Sequence, residues 1–463
     1  MVKTQWGSKI GFILATAGSA IGLGNIWRFP YLAGQNGGGA FLLLYVLSMI
    51  GIGYFLLLAA LTFGRVAGTN IIDGFQAVAI KNKKKVSKIW GALGGSLAAV
   101  NVVLVASIYT IVSGWTLMYV IEGASHVIGV AHRPLDGALF ERLTDSFRIQ
   151  LFWTAAVLVI AGWIVARGVK KGIETVSLYL MPLLFVLLIF MAIWIYMLPG
   201  SEKGIAFFLM PDLGVLGFAA DGFHFKTFAD LLLKAMGQAI YSLSLGLGVI
   251  FVYGSYLKEN INIRSSAAWV VALSIVVSVL GGLIVLPAVF AFGLEPAVGP
   301  SLSFVSLPLV FSQMAGGTIL MFIFFVLLFV AALTSLISIH EALVNLLIDK
   351  MNVSRIRAVL VMIVLNLCGS GIILASFTKL WPIQIKGQDL FGAIDTFTGS
   401  YSMALLVLVC TLFTGFVVST VIVRDMNRGA HPMGKPFKRY LRFTLRFTAP
   451  IILIVLFLSG IFG

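Results

Sequence analysis

Ala17-Gly18-Ser19-Ala20-Ile21-Gly22-Leu23-Gly24-Asn25 and Tyr241-Ser242-Leu243-Ser244-Leu245-Gly246-Leu247-Gly248 repeat one pattern: small hydroxyl residues followed by Gly-Leu-Gly, in the middle of a long apolar stretch. Glycine is a poor helix former, so each run predicts a helix unwound near its midpoint. The surrounding chain is strongly apolar. Of its 463 residues, 60% are hydrophobic and 11% charged, whereas soluble domains carry about a quarter charged residues. Apolar runs such as 183–197 and 451–458 belong to helices that cross the ~30 Å hydrocarbon core with every backbone hydrogen bond made internally. The chain reads as an all-α polytopic membrane protein.

Eleven spans are expected, near 10–32, 38–63, 90–121, 150–166, 174–198, 231–257, 265–292, 317–348, 356–377, 390–423 and 439–461. The patterned runs fall in spans one and six, the openers of two five-span halves. Five is odd, so the halves have opposite topology. The expected organisation is a first repeat at 1–200, an inverted second repeat at 201–424, and a loop with the eleventh helix at 425–463. Close helix packing accounts for one such run. Two in register, in inverted halves, point to a transporter's central site. Polar outer loops are expected at 122–150 and 199–230, and a partly helical one at 293–315.

The net charge of +15 follows the topology. With the N-terminus inside, 23 of the 32 Lys and Arg fall on inner segments, among them Lys9, Arg65, Lys81, Arg167, Lys258, Lys350, Arg424 and Arg446. Cytoplasmic loops are enriched in this way, so the basicity is no nucleic-acid footprint. The expected location is the cell inner (plasma) membrane, N-terminus cytoplasmic and C-terminus outside. The stretch 10–17 imitates a signal-peptide core, but the spans that follow argue against cleavage. Cys368 and Cys410 lie in apolar runs, which implies no disulfide framework, and the five histidines show no metal-ligand spacing. An enzyme would need a nucleophile–base pair or a metal cluster. His340 and Glu341 are neighbours on a helix and point apart.

Unwinding a helix at bilayer depth frees carbonyls and amides that lipid cannot satisfy, so they must face a buried site. Carbonyl oxygens suit a small hard cation, and amides at a half-helix N-terminus suit a carboxylate. A zwitterionic amino acid beside sodium meets both demands.

Trp6, the run Gly18-Ser19-Ala20-Ile21-Gly22-Leu23-Gly24-Asn25-Ile26-Trp27-Arg28-Phe29-Pro30-Tyr31, Asn36-Gly37-Gly38-Gly39-Ala40-Phe41, Lys171-Gly172-Ile173-Glu174, Gly237-Gln238, Gln313-Met314-Ala315-Gly316-Gly317 and Ala332-Leu333-Thr334-Ser335 occur in that order. In these motifs the chain resembles the neurotransmitter:sodium symporter family, in particular its bacterial amino-acid transporters. The resemblance implies the leucine-transporter-like fold, with helices 1 and 6 unwound at mid-membrane. It also implies sodium-coupled symport of amino acids by alternating access, as a monomer or homodimer. One sodium would take the carbonyls of Gly18, Ile21 and Ala331 with the hydroxyls of Thr334 and Ser335. The other would take the Ala20 carbonyl, Asn25, Ser242, Ser274 and the substrate carboxylate. That carboxylate would also meet the amides of Leu23 and Gly24 and the Tyr109 hydroxyl. The ammonium would meet carbonyls of Ala20, Tyr241 and Ser242 and the Ser244 hydroxyl. The side-chain pocket would be Ser19, Val105, Tyr241, Leu247, Ser335 and Ile339, which suits a hydrophobic or aromatic amino acid. Gly22 stands where monoamine carriers place an aspartate. Arg28 and Asp395 would close the outside over Tyr109 and Tyr241. Lys3 and Asp349 would close the inside, with Trp6 as plug and Tyr256 nearby.

Some positions depart from the family pattern. Chloride-dependent members use a tyrosine, a glutamine and two serines, and many bacterial members substitute an acid. Here the matching residues are Tyr45, Gln238, Ser242 and Ser278, all neutral, which predicts chloride binding. Ser274 replaces the usual Asn or Asp and puts the sodium site shared with the substrate carboxylate in question. Phe55 and Ala60 replace a proline and a glutamate, and Leu247 a phenylalanine. A proton-coupled carrier is the nearest alternative, disfavoured because no acid is expected near the broken helices. A non-transporting receptor on the same fold is the other.

Overall fold

The computed structural model describes residues 5–83, 88–130, 137–219, 222–293, 302–314 and 316–462. Among them, nine continuous helices are long and apolar enough to cross a membrane: Gly39–Ala67, Ile89–Val127, Phe147–Ala166, Val169–Tyr196, Ile263–Ala291, Gly317–Met351, Arg355–Phe377, Leu390–Val417 and Lys435–Ser459. The pair Lys9–Ala20 and Gly24–Gln35, bent by 52°, adds the first span. The pair Phe225–Ser242 and Val249–Ser255 adds the sixth. The protein is thus an all-α polytopic membrane protein, and its spans match the expected order with shifted ends. The third span runs on to Val127, the second to Ala67, and the sixth starts at Phe225. The tenth ends at Val417, and a separate helix, Ser419–Asp425, follows. Of the segments expected as outer loops, 199–230 holds more structure than a polar loop, a helix at Ser201–Leu209 and a short hairpin pairing Phe218–Ala219 with Gly222–Phe223, while 293–315 is partly helical, at Leu302–Ser312, as expected.

Both interruptions are built by local backbone chemistry. The first half-helix stops at Ile21, whose ψ of 85° leaves the helical region. In the sixth span Ser244 (φ 50°), Gly246 (φ 91°) and Gly248 (φ 73°) take left-handed conformations in alternation, which no α-helix tolerates. At Gly246 a side chain is excluded twice over, because a Cβ there would lie 2.6 Å from the Met403 carbonyl oxygen of the tenth span.

Packing around the breaks is backbone-close. A Cβ on Gly64 would come within 1.9 Å of the Phe251 carbonyl oxygen, and one on Gly254 within 2.2 Å of the Leu61 oxygen. The second span and the half-helix Val249–Ser255 therefore meet through glycines, the small-residue mode of membrane helix association. The third and eighth spans make the most extensive helix pair and wall the opposite side of the breaks. The first half-helix is anchored at its start. Glu174 of the fifth span accepts from Gly7 N (2.7 Å), Ser8 N (2.8 Å) and Ser8 Oγ (2.8 Å), placing a carboxylate at a helix N-terminus.

That anchor yields a test. A Cβ at Gly11 would lie 2.2 Å from Glu174 Oε1. Gly11→Ala is expected to destabilise the protein, and Glu174→Ala, which orphans three donors, to cost about 1–3 kcal/mol. The two changes should be clearly sub-additive, by at least ~0.5 kcal/mol, because they act on one contact. Unfolding of the purified variants in detergent measures this. Strict additivity would place the glycine requirement elsewhere.

Candidate functional site

The two breaks face each other and are tied directly. Ser244 Oγ donates to the Ser19 carbonyl at 2.6 Å, and Gln238 Nε2 to the Gly24 carbonyl at 2.8 Å. Main-chain oxygens released by unwinding are thus held by side chains of the other broken helix.

On the eighth-span side, Ser335 Oγ donates to the Gly18 carbonyl at 3.0 Å and to that of Ser19 at 3.3 Å. Thr334 Oγ1 donates within its own helix, to Val330 O (3.0 Å) and Ala331 O (3.1 Å). A Cβ on Gly18 would sit 3.2 Å from Thr334 Cβ. Gly18, Ala331, Thr334 and Ser335 therefore form one buried contact group of neutral oxygens, and Ile21 caps the same half-helix as Gly18.

On the seventh-span side, Asn25 Nδ2 donates to Ser274 O (3.2 Å), Ser274 Oγ (2.9 Å) and Ser278 Oγ (3.0 Å). Tyr45 and Ser278 share a 2.9 Å hydrogen bond, and Gln238 Nε2 donates to Ser242 Oγ at 3.1 Å. Asn25, Ser242, Ser274, Tyr45, Gln238 and Ser278 are almost wholly buried and neutral. Two acceptors among them, Asn25 Oδ1 and Gln238 Oε1, have no donor among the described residues. Ala20 ends the first half-helix nearby in sequence. Buried acceptors without donors are costly unless a cation, a water or a ligand supplies the missing partner.

Between these groups Tyr109 Oη accepts from Leu23 N at 2.9 Å. A Cβ on Gly22 would come within 2.4 Å of Tyr109 Oη and 2.5 Å of Ser335 Oγ, so only glycine fits between those hydroxyls. A Cβ on Gly24 would lie 2.6 Å from the Tyr241 ring. Leu23, Gly24, Tyr109, Tyr241, Arg28 and Asp395 line one cavity of about 90 Å³. The intended side-chain set is less unified. Ser19, Ser335 and Ile339 are buried, and Val105 is half-buried against the core. Leu247 instead lines a separate small cavity with Ala98, Val102 and Leu343.

The gates differ in part from expectation. Arg28 and Asp395 share the cavity but form no ion pair within 4.0 Å; the guanidinium carbon lies 4.4 Å from the Tyr241 ring centroid, a cation–π contact. At the opposite end Lys3 lies outside the described residues. Asp349 accepts from Asn70 N (3.1 Å), Asn70 Nδ2 (3.2 Å) and Thr69 Oγ1 (3.3 Å). Trp6, 1% exposed, donates its indole N–H to Tyr253 O (3.0 Å) and its amide to Tyr256 O (3.3 Å).

Three elements escaped sequence reasoning. The expectation of no acid near the broken helices is corrected by Glu341, fully buried, which accepts from Tyr256 Oη at 2.8 Å and pairs with Arg355. Tyr256 directly follows the half-helix Val249–Ser255. Asn101 Nδ2 donates to the Gly246 carbonyl at 2.9 Å, and Ser402 Oγ donates to Asn101 Oδ1. The third and tenth spans thus brace the second break. Glu174 is the third. A lone Asn in an apolar span was the available signal for Asn101, since buried polar groups need partners.

A model of the sodium:neurotransmitter symporter family matches residues 3–132 and 143–463. An uncharacterized sodium-dependent transporter of Bacillus subtilis, YhdH, is 36% identical over 98% of this chain and 97% of its own length. The cattle (Bos taurus) sodium-dependent neutral amino acid transporter B(0)AT2 is 30% identical over 61% of this chain and 40% of its length. The structure of MhsT in complex with L-phenylalanine superimposes with a TM-score of 0.86 at 34% identity, covering 99% of both chains. The protein is a membrane transporter rather than an enzyme, and it belongs to the sodium:neurotransmitter symporter family.

Proposed function

We propose that the protein is a sodium-coupled symporter of hydrophobic or aromatic amino acids that works by alternating access, with its N-terminus in the cytoplasm. The observation that carries this reading is the convergence of neutral oxygens on both breaks in a buried interior. Gly18, Ile21, Ala331, Thr334 and Ser335 are the ligands proposed for one sodium. Ala20, Asn25, Ser242 and Ser274 are those proposed for the other, completed by the substrate carboxylate. Asn25 Oδ1, an acceptor lacking a donor, supports the second assignment. Hydroxyl rotation would release the Gly18 carbonyl from Ser335, so the ion replaces weak internal hydrogen bonds. Leu23 and Gly24 amides with Tyr109 Oη would hold the carboxylate. The tight fit at Gly22 disfavours the aspartate that an amine without a carboxylate would need. An amino-acid substrate agrees with the phenylalanine named in the MhsT complex and with the substrate class of B(0)AT2.

Charge balance extends the proposal to chloride. Two sodium ions beside a zwitterionic substrate leave two uncompensated positive charges, and the network around Ser278 contains no carboxylate. Chloride held by Tyr45, Gln238, Ser242 and Ser278 would offset one of them. Sharing of ligands between ion and substrate makes their binding reciprocal, which is the thermodynamic content of coupling.

Uptake of labelled leucine, phenylalanine and tryptophan into proteoliposomes, with sodium, chloride and pH varied separately, tests the reading. Uptake should require an inward sodium gradient; accumulation driven by a proton gradient alone would overturn it. Thr334→Ala and Asn25→Ala should each raise the half-saturating sodium concentration at least about tenfold, the weight of one charge-assisted contact. Only Asn25→Ala should weaken substrate binding in step. Ser278→Glu should make uptake independent of chloride, and a full halide requirement in that variant would remove the anion site.

A further inference from the structure

At the Trp6 end of the bundle lies a cavity of about 450 Å³ that takes no part in the site above. Its walls carry Arg65, Lys81, Arg424 and Arg428 against two acids, Glu259 and Asp425. Both acids are already engaged. Arg65 Nε pairs with Asp425 at 2.7 Å, and Arg428 pairs with Glu259 while approaching Asp425 at 3.5 Å. Lys81 Nζ touches only the Val66 carbonyl, and the exposed Arg424 side chain has no hydrogen bond or ion pair among the described residues. Two full positive charges thus face one cavity without a counter-charge.

We propose that this cavity binds a phosphate-bearing anion, with Arg424 and Lys81 as its charged ligands. A guanidinium fork presents paired donors that match phosphate oxygens, and an ammonium adds a point charge beside it. The buried Arg65–Asp425 pair, fixed further by Arg65 Nη1 on the Ile261 carbonyl (2.7 Å), makes the floor rigid. The anion is either the headgroup of an acidic phospholipid or a soluble phosphate, since both present the same oxygens. The proposal does not depend on the transport reading.

The test uses the full chain in neutral detergent with phosphatidylcholine at fixed ionic strength. The thermal midpoint is followed while titrating phosphatidylglycerol in one arm and inorganic phosphate in the other. A saturable rise is expected in at least one arm. Arg424→Gln should weaken half-saturation about tenfold, and Lys81→Gln/Arg424→Gln further, as charge-assisted hydrogen bonds are lost. Saturation by lipid alone identifies a membrane headgroup, and saturation by phosphate a soluble ligand. No rise in either arm, or an equal rise in wild type and Arg424→Gln, overturns the site. Arg424 is exposed and unpaired, so that variant should fold normally and keep the outcome readable.

Discussion

A helix interrupted inside a bilayer must hand its freed carbonyls and amides to something other than water, and this requirement organises the whole molecule. Here side chains of the sixth span partner the carbonyls of the first. The Ser244 hydroxyl closes on the Ser19 carbonyl, and the Gln238 amide on that of Gly24. Only an assembly that brings the two interruptions face to face makes such bonds, so the placing of the two broken spans and the polar cluster between them share one cause. The third, seventh, eighth and tenth spans supply the rest, through Tyr109 and Asn101, Asn25's partners, Ser335, and Ser402.

The same economy governs the electrostatics. Charged side chains near the breaks stand at the margins: Arg28 stacked on Tyr241, Glu341 against Arg355, and Glu174 at a helix start. The interior between them is built from hydroxyls, amides and carbonyls. Neutral oxygens hold a monovalent ion without trapping it, because a fixed carboxylate in a dry medium would deepen the well by several kcal/mol. A carrier needs ligands that let go.

The fold was legible because its signals are local. Long apolar runs set the spans, and the Gly-Leu-Gly repeats set the breaks, the second of which is made by alternating left-handed residues. Ser274 and Ser278, one helical turn apart, were readable as one face and do share Asn25 as a partner. What sequence could not show is pairing across distance. Glu341 with Arg355, Asn101 with Ser402, and Glu174 with the amides of Gly7 and Ser8 join residues on different helices, and no periodicity announces them. The stacking of Arg28 on Tyr241, in the cavity that Asp395 also lines, is another contact between distant spans that no periodicity announces.

The glycine-to-backbone contact of Gly64 and Gly254 carries a mechanical consequence. Where the two helices touch main chain to main chain, and Phe63 and Phe251 interlock beside that contact, sliding them means lifting one away from the other. The second span and the half-helix Val249–Ser255 therefore behave as one lever. Its pivot falls at the left-handed residues Ser244, Gly246 and Gly248, so any swing of this lever is felt first by the loop between the two halves of the sixth span.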